Sequence, residues 1–283
     1  MRSTFFFLLV LAFATACGGG ASPKSSDLPA NSSSGAESQN EQTTLKATED
    51  ASPAGSELGF DEAALEALLG DEPRAPLPLN RKRARLGAAD AEVTILFFSD
   101  LECPYCAIAM RTIRELMERY PGKIRLYQLH YPLPGHVHAD GAARVAEAIR
   151  VERGDAAFYE FISELHPDRE RLSEGRLREL ALSAGLSEAA LDGALDEYHF
   201  DDEVRGDTAI GRIIGIRGTP ASLLNGRLVP GAQSLETFEK VFLEELEIAR
   251  KIRDLGVARG DEYRALVKLY FGSEGLEAMQ GND

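Results

Sequence analysis

Two cysteines, Cys103 and Cys106, flank a Pro104-Tyr105 pair in the run DLECPYCAIAMRTIREL, which begins at Asp100. A C-x-x-C spacing can serve as a redox centre, as half of a metal site or as a structural staple. Its surroundings favour the first. The apolar run VTILFFS, Val93 to Ser99, suits a buried central strand. Beyond the cysteines, Ile108, Ile113, Leu116, Met117 and Tyr120 recur at helical spacing until Pro121-Gly122 ends the pattern. The pair therefore falls at the N-terminus of a helix that follows a strand. There a thiolate at Cys103 meets unpaired backbone N–H groups and the positive end of the helix dipole. Its pKa should drop below the free value of about 8.5. Cys106, one turn along, is placed to attack a mixed disulfide formed on Cys103. Pro104 fits the first helical turn, where its missing N–H costs nothing.

The other two readings stay open at this level. A zinc knuckle normally needs a second ligand pair. No further C-x-x-C exists, and His130, His136, His138, His166 and His199 show no matching spacing, His136 and His138 coming nearest. An inert disulfide would suit an exported chain, although so short a loop removes little chain entropy. His130 reads as a strand residue, and His136 and His138 as loop residues.

The elements that must hold the pair follow from the pattern on either side. KIRLYQLHYPL, from Lys123, reads as a second strand, parallel to the first through the intervening helix. From about 139 to 215 the pattern is helical throughout. GTPASLLNGRLVPG then carries Asn225-Gly226 between two short apolar stretches, a type I′ hairpin signal. A long helix follows Ser234, and a further helical stretch occupies 256–283. Upstream, FDEAALEALLG predicts a short helix with Asp61 as N-cap and Gly70 as stop. DEPRAPLPLNRKRARLG, Pro-rich and basic, reads as a solvated linker, so residues 18–80 are expected to form a flexible linker with one short helix.

The N-terminus speaks to compartment. Arg2 precedes FFFLLVLAFA, Phe5 to Ala14, which is too short to span a bilayer but suits the core of a secretory signal. ATAC ends at Cys17. A cut before this cysteine resembles bacterial lipoprotein processing, with Cys17 acylated; Ala14 stands where Leu is usual, so cleavage after Ala16 is the alternative. Acylation would also account for the odd cysteine. Residues 1–17 are thus expected to be a signal, and 18 to about 57, without aromatic residues, a disordered tether. The 283 residues carry a net charge of −15, from 31 basic and 46 acidic side chains. That balance argues against nucleic acid as a partner.

VTILFFSDLECPYC, YPLPGHVHADGAARVAEA and GIRGTPASLLNGRLVPG together resemble the DsbA-like thioredoxin family of exported thiol–disulfide oxidoreductases. The resemblance covers Leu86 to Leu255. It implies an α/β thioredoxin-like domain over 81–255 with a helical insertion, about 139–215. It implies Cys103 as the exposed attacking thiol, Cys106 as the resolving one, and a cis bond between Thr219 and Pro220 facing them. Substrate chains would pair with the exposed Thr219 backbone. Glu102 matches an acidic position of the family, which could assist proton transfer or be a plain loop carboxylate. Tyr105 is expected to tune the thiolate and touch substrate. The implied activity needs no metal or organic cofactor. It needs exported proteins bearing thiols or disulfides as substrates, and a separate partner to reset the pair. The expected location is the cell envelope, on the periplasmic side, with a lipid anchor in the outer or inner membrane. Disulfide-forming oxidase is the first reading of direction; a reductase or isomerase, or a non-catalytic binding module, are the alternatives.

Overall fold

The computed structural model describes residues 58–79 and 83–280. The signal, Cys17 and the tether lie outside the described residues. Strand β1 (Arg85–Gly87) is followed by β2 (Val93–Ser99), α2 (Pro104–Arg119) and β3 (Ile124–His130), with α1 (Glu62–Leu69) ahead of them. Five helices come next: α3 (Ala139–Arg153), α4 (Asp155–Asp168), α5 (Glu174–Ser183), α6 (Glu188–Leu195) and α7 (Asp201–Ile213). The hairpin β4 (Ala221–Leu224) and β5 (Arg227–Pro230), then α8 (Leu235–Asp254) and α9 (Glu262–Gln280), complete the order.

The strands form one sheet in the order β1-β3-β2-β4-β5, parallel only between β2 and β3. This is a thioredoxin-like α/β fold with a helical insertion between β3 and β4. Every residue of β2 is buried, as a central strand covered on both faces requires. Its side chains alternate between two cores. Val93, Ile95 and Phe97 pack with α2, the insert and Phe238 and Phe242 of α8. Leu96 and Phe98 pack with Leu129, Ile216 and Tyr263 on the opposite face. Asn225 and Gly226 both have positive φ, 46° and 88°, as a type I′ turn demands. No helix among the described residues is long and apolar enough to cross a membrane.

The linker expected over 18–80 is corrected along its last part. Residues 74–79 are not solvated, although Glu72 and Pro73 ahead of them are exposed. Leu77 and Leu79 are buried in the second core, and the Tyr263 hydroxyl donates to the Leu77 carbonyl at 2.9 Å. The Ala75 N–H donates to the Gly226 carbonyl at 2.8 Å, and a Cβ at Gly226 would lie 2.8 Å from the Pro76 nitrogen. Arg74 forms a bidentate pair with Glu245 of α8, at 2.6 and 2.8 Å, both side chains being almost wholly buried. The prolines that suggested a linker instead hold an extended strip against the hairpin. α9 likewise packs onto the domain, through Tyr263, Leu266 and Val267.

The buried pair gives a test of this strip. Burial comes first in raising the Glu245 pKa, with Arg74 opposing it. Without Arg74 the carboxylate would be buried and unpaired, so Arg74→Ala should cost about 3 kcal/mol in urea unfolding. The cost should be larger at pH 8 than at pH 5, where Glu245 can take up a proton. A cost below about 0.5 kcal/mol at both pH values would mean that the strip does not contribute to the fold.

Candidate active site

The last residue of β2, Ser99, leads into a three-residue turn whose geometry Asp100 determines. Its carboxylate is fully buried and accepts four N–H bonds. Oδ1 takes the Glu102 and Cys103 backbone N–H groups at 2.8 and 3.2 Å. Oδ2 takes the Leu133 N–H and His136 Nδ1, both at 2.7 Å. The turn therefore delivers Cys103 to the N-cap of α2 with φ −71° and ψ 121°, and Pro104 begins the helix. The Cys106 and Ala107 N–H groups point back to the Cys103 carbonyl at 3.1 and 3.4 Å.

Both cysteines are free thiols. The expected exposure of Cys103 is corrected: only 3% of it is accessible, because the turn, Cys106 and the Thr219 loop enclose it. Its sulfur lies 3.7 Å from the Thr219 carbonyl, and the Thr219–Pro220 bond is cis. The Cys103 pKa is pulled down to about 5, first by a hydrogen bond from the Cys106 side chain. Burial opposes this; the Cys106 and Tyr105 N–H groups reinforce it. Cys106 moves the other way, driven first by burial and then by its hydrogen bond to Cys103, with the negative charge on Cys103 adding a smaller push. The Asp100 N–H donates to its sulfur at 3.4 Å. One sulfur is thus a thiolate at neutral pH and its neighbour a thiol.

The remaining expected residues are placed as follows. Glu102 is half-buried and accepts the His138 N–H at 2.7 Å, which ties the start of the insert to the active-site turn. It is neither a free loop carboxylate nor bonded to Cys106. Tyr105 is 61% exposed and stands in solvent beside the pair. His130 lies in β3, its Nε2 3.0 Å from Glu147.

The sequence patterns do not single out Asp100 or His136 as site residues. An Asp two and three residues ahead of the N–H groups it accepts is a local turn signal, so Asp100 was findable. His136 arrives from a loop 36 residues away and was not. Burial opposes its charge, yet Asp100 raises its pKa overall. The stability from this pair is therefore complete below about pH 6.5 and fades as pH rises through the raised value.

A family model described as the DSBA-like thioredoxin domain matches residues 94–242, from β2 into α8. That is more than half of the chain, and it contains the cysteine pair, the insertion and the cis proline. The chain belongs to this family. Among curated relatives, a Na(+)/H(+) antiporter NhaA 1 of Salinispora arenicola is 33% identical over 189 residues, 63% of this chain and 26% of the antiporter. The chain spans about a quarter of the length of such antiporters. A probable disulfide bond formation protein D of Bacillus anthracis is 27% identical over 53% of this chain and 74% of its own. Among solved structures, a periplasmic thioredoxin-like protein from Salmonella enterica serovar Typhimurium shares 25% identity at TM-score 0.51, over 65% of this chain and 97% of that one. BdbD from Bacillus subtilis, at 22% identity and TM-score 0.55, matches in fold over 63% of this chain and 100% of its own.

The alkylation rate of Cys103 with iodoacetamide, followed against pH in the reduced protein, should rise with a midpoint near 5. Cys106→Ala, which removes the sulfur donor, should move that midpoint up by about one to two pH units. Cys106→Ser keeps a donor and should move it less. A midpoint near 8.5 in the unaltered protein would contradict the arrangement.

Proposed function

We propose that the chain is a thiol–disulfide oxidoreductase acting on exported proteins, and that it runs in the disulfide-forming direction. The observation that carries this is the opposed environment of the two sulfurs, Cys103 lowered to about 5 and Cys106 raised. A substrate thiolate attacks Cys103 of the oxidised pair, and the Cys103–Cys106 bond breaks as the mixed disulfide forms. Cys106 leaves with the electron pair and takes up a proton. Because burial keeps Cys106 protonated, it is slow to attack back. The second substrate thiolate then forms the substrate disulfide, and Cys103 departs as a stabilised thiolate, a good leaving group. At pH 7 a pKa near 5 favours the reduced enzyme by about 3 kcal/mol over an ordinary cysteine, or about 60 mV toward an oxidant. A separate redox partner must reoxidise the pair.

Thr219 supports the same reading. Its carbonyl stands beside the Cys103 sulfur, where an extended substrate segment can add to the half-buried Thr219 backbone. The Bacillus anthracis relative, whose name refers to disulfide bond formation, agrees in direction. The Salmonella structure, described as periplasmic, agrees with the signal-like run at Phe5 to Ala14. We accordingly propose that the domain lies in the cell envelope, with residues 1–16 removed and the acylated Cys17 anchoring it through a tether.

Trapping tests the exchange reaction. A Cys106→Ser variant should accumulate mixed disulfides with exported proteins, released by dithiothreitol, and Cys103→Ser should accumulate none. Equal yields from the two variants would contradict the roles assigned to the sulfurs.

A further inference from the structure

A cavity of about 460 Å³ lies between α2 and α4, and its wall begins at the active site. Pro104 and Ala107, on the first turns of α2, belong to it, and so do Arg111, Arg114, His166 and Arg169. No carboxylate lines it. Three guanidinium groups around one cavity run against the composition of a chain whose net charge is −15.

The donors are not all used. Arg114 ties α2 to α4 through the Tyr159 carbonyl and the Ser163 hydroxyl, at 3.2 and 3.0 Å. Arg169 donates from its terminal nitrogens to the His166 carbonyl and exposed Glu170, but its buried Nε has no partner. His166 is only 8% exposed, and its Nε2 also lacks a partner among the described residues. Arg111 is exposed and makes no hydrogen bond or ion pair among the described residues. Burial, then the charges of Arg169, Arg114 and Arg111, push the His166 pKa down to about 4. The buried Arg169 Nε–H without an acceptor is costly, and an anion would satisfy it, the free guanidinium and, in the tautomer that protonates Nε2, His166 together.

Position selects the anion. Arg111 and Arg114 stand eight and eleven residues beyond Cys103, about 12 and 16 Å along the helix. An extended polypeptide covers that distance in four or five residues. We propose that the cavity is a subsite for an Asp or Glu side chain of a polypeptide substrate, four or five residues from its reacting cysteine. This rests on the thiol–disulfide exchange reading above. The subsite would give the enzyme a preference for acidic sequence around the cysteine, opposed to the repulsion that its overall charge creates.

Two peptides test it, each with a single cysteine and differing only in Glu or Gln five residues away, against the oxidised full chain. The rate measured is that of peptide thiolate attack on Cys103. The Glu peptide should react about three- to tenfold faster at low salt, and Arg111→Gln should reduce that advantage to within about twofold. Serine-for-cysteine versions of both peptides give a binding readout independent of exchange: the His166 imidazole signal should shift with the Glu version and not with the Gln version. Equal rates together with a silent His166 would overturn the subsite. A Glu advantage undiminished in Arg111→Gln, with His166 silent, would place acid recognition elsewhere and overturn it too. If neither cysteine peptide opens the disulfide, the exchange reading fails. His166 then judges the cavity alone, a shift supporting it and silence rejecting it.

Discussion

The Asp100 carboxylate is the constraint on which the site depends. It is buried at the one point where β2 ends, α2 begins and the loop from β3 to the insert passes. Four N–H groups from those segments converge on its two oxygens. The buried Cys103 N–H would otherwise be a polar group shielded from water, and the part-buried donors beside it would lose a charged acceptor, so the carboxylate holds the turn closed. The same residue offers its own N–H to the Cys106 sulfur. Glu102 repeats the device one step outward by holding the His138 N–H at the start of α3. Two acidic side chains thereby join the thioredoxin core to its helical insertion at the redox pair.

Around that frame the two sulfurs are made unequal by position alone. Cys103 is the N-cap and collects donors; Cys106, one turn deeper, is wrapped by core side chains. Neither effect needs a cofactor or a charged side chain in contact with sulfur. In the proposed reaction this asymmetry makes Cys103 the nucleophile and leaving group and Cys106 the slow-acting thiol. Cys103 is enclosed beside the Thr219 carbonyl, the backbone along which substrate is proposed to approach.

The sequence showed most where its signals are local. The strand-to-helix placement of Cys103 and Cys106, the βαβ unit and the Asn225-Gly226 turn each rest on neighbouring residues, and the structure has all three. It showed least where a fold is completed by distant partners. Residues 72–79 look like linker because prolines and charges dominate them, yet Arg74 is neutralised by Glu245, 171 residues away. β1, three residues long with a basic first position, has no strand signature of its own and exists because the edge of β3 is available. His136 carried no sign that Asp100 would be its partner. The exposed position expected of Cys103 is what the family resemblance implies; the loop that covers it comes from residue 219, which spacing does not reveal.

The reduction potential of the Cys103–Cys106 pair tests the central claim most directly. It can be read by thiol alkylation of the protein equilibrated across a glutathione series. The proposed disulfide-forming direction, to which the Cys103 thiolate contributes about 60 mV, predicts a potential near or above about −150 mV, on the oxidising side of the range for such pairs. A potential near or below about −250 mV would contradict the account, since a pair so reducing cannot owe its chemistry to a favoured thiolate in a disulfide donor.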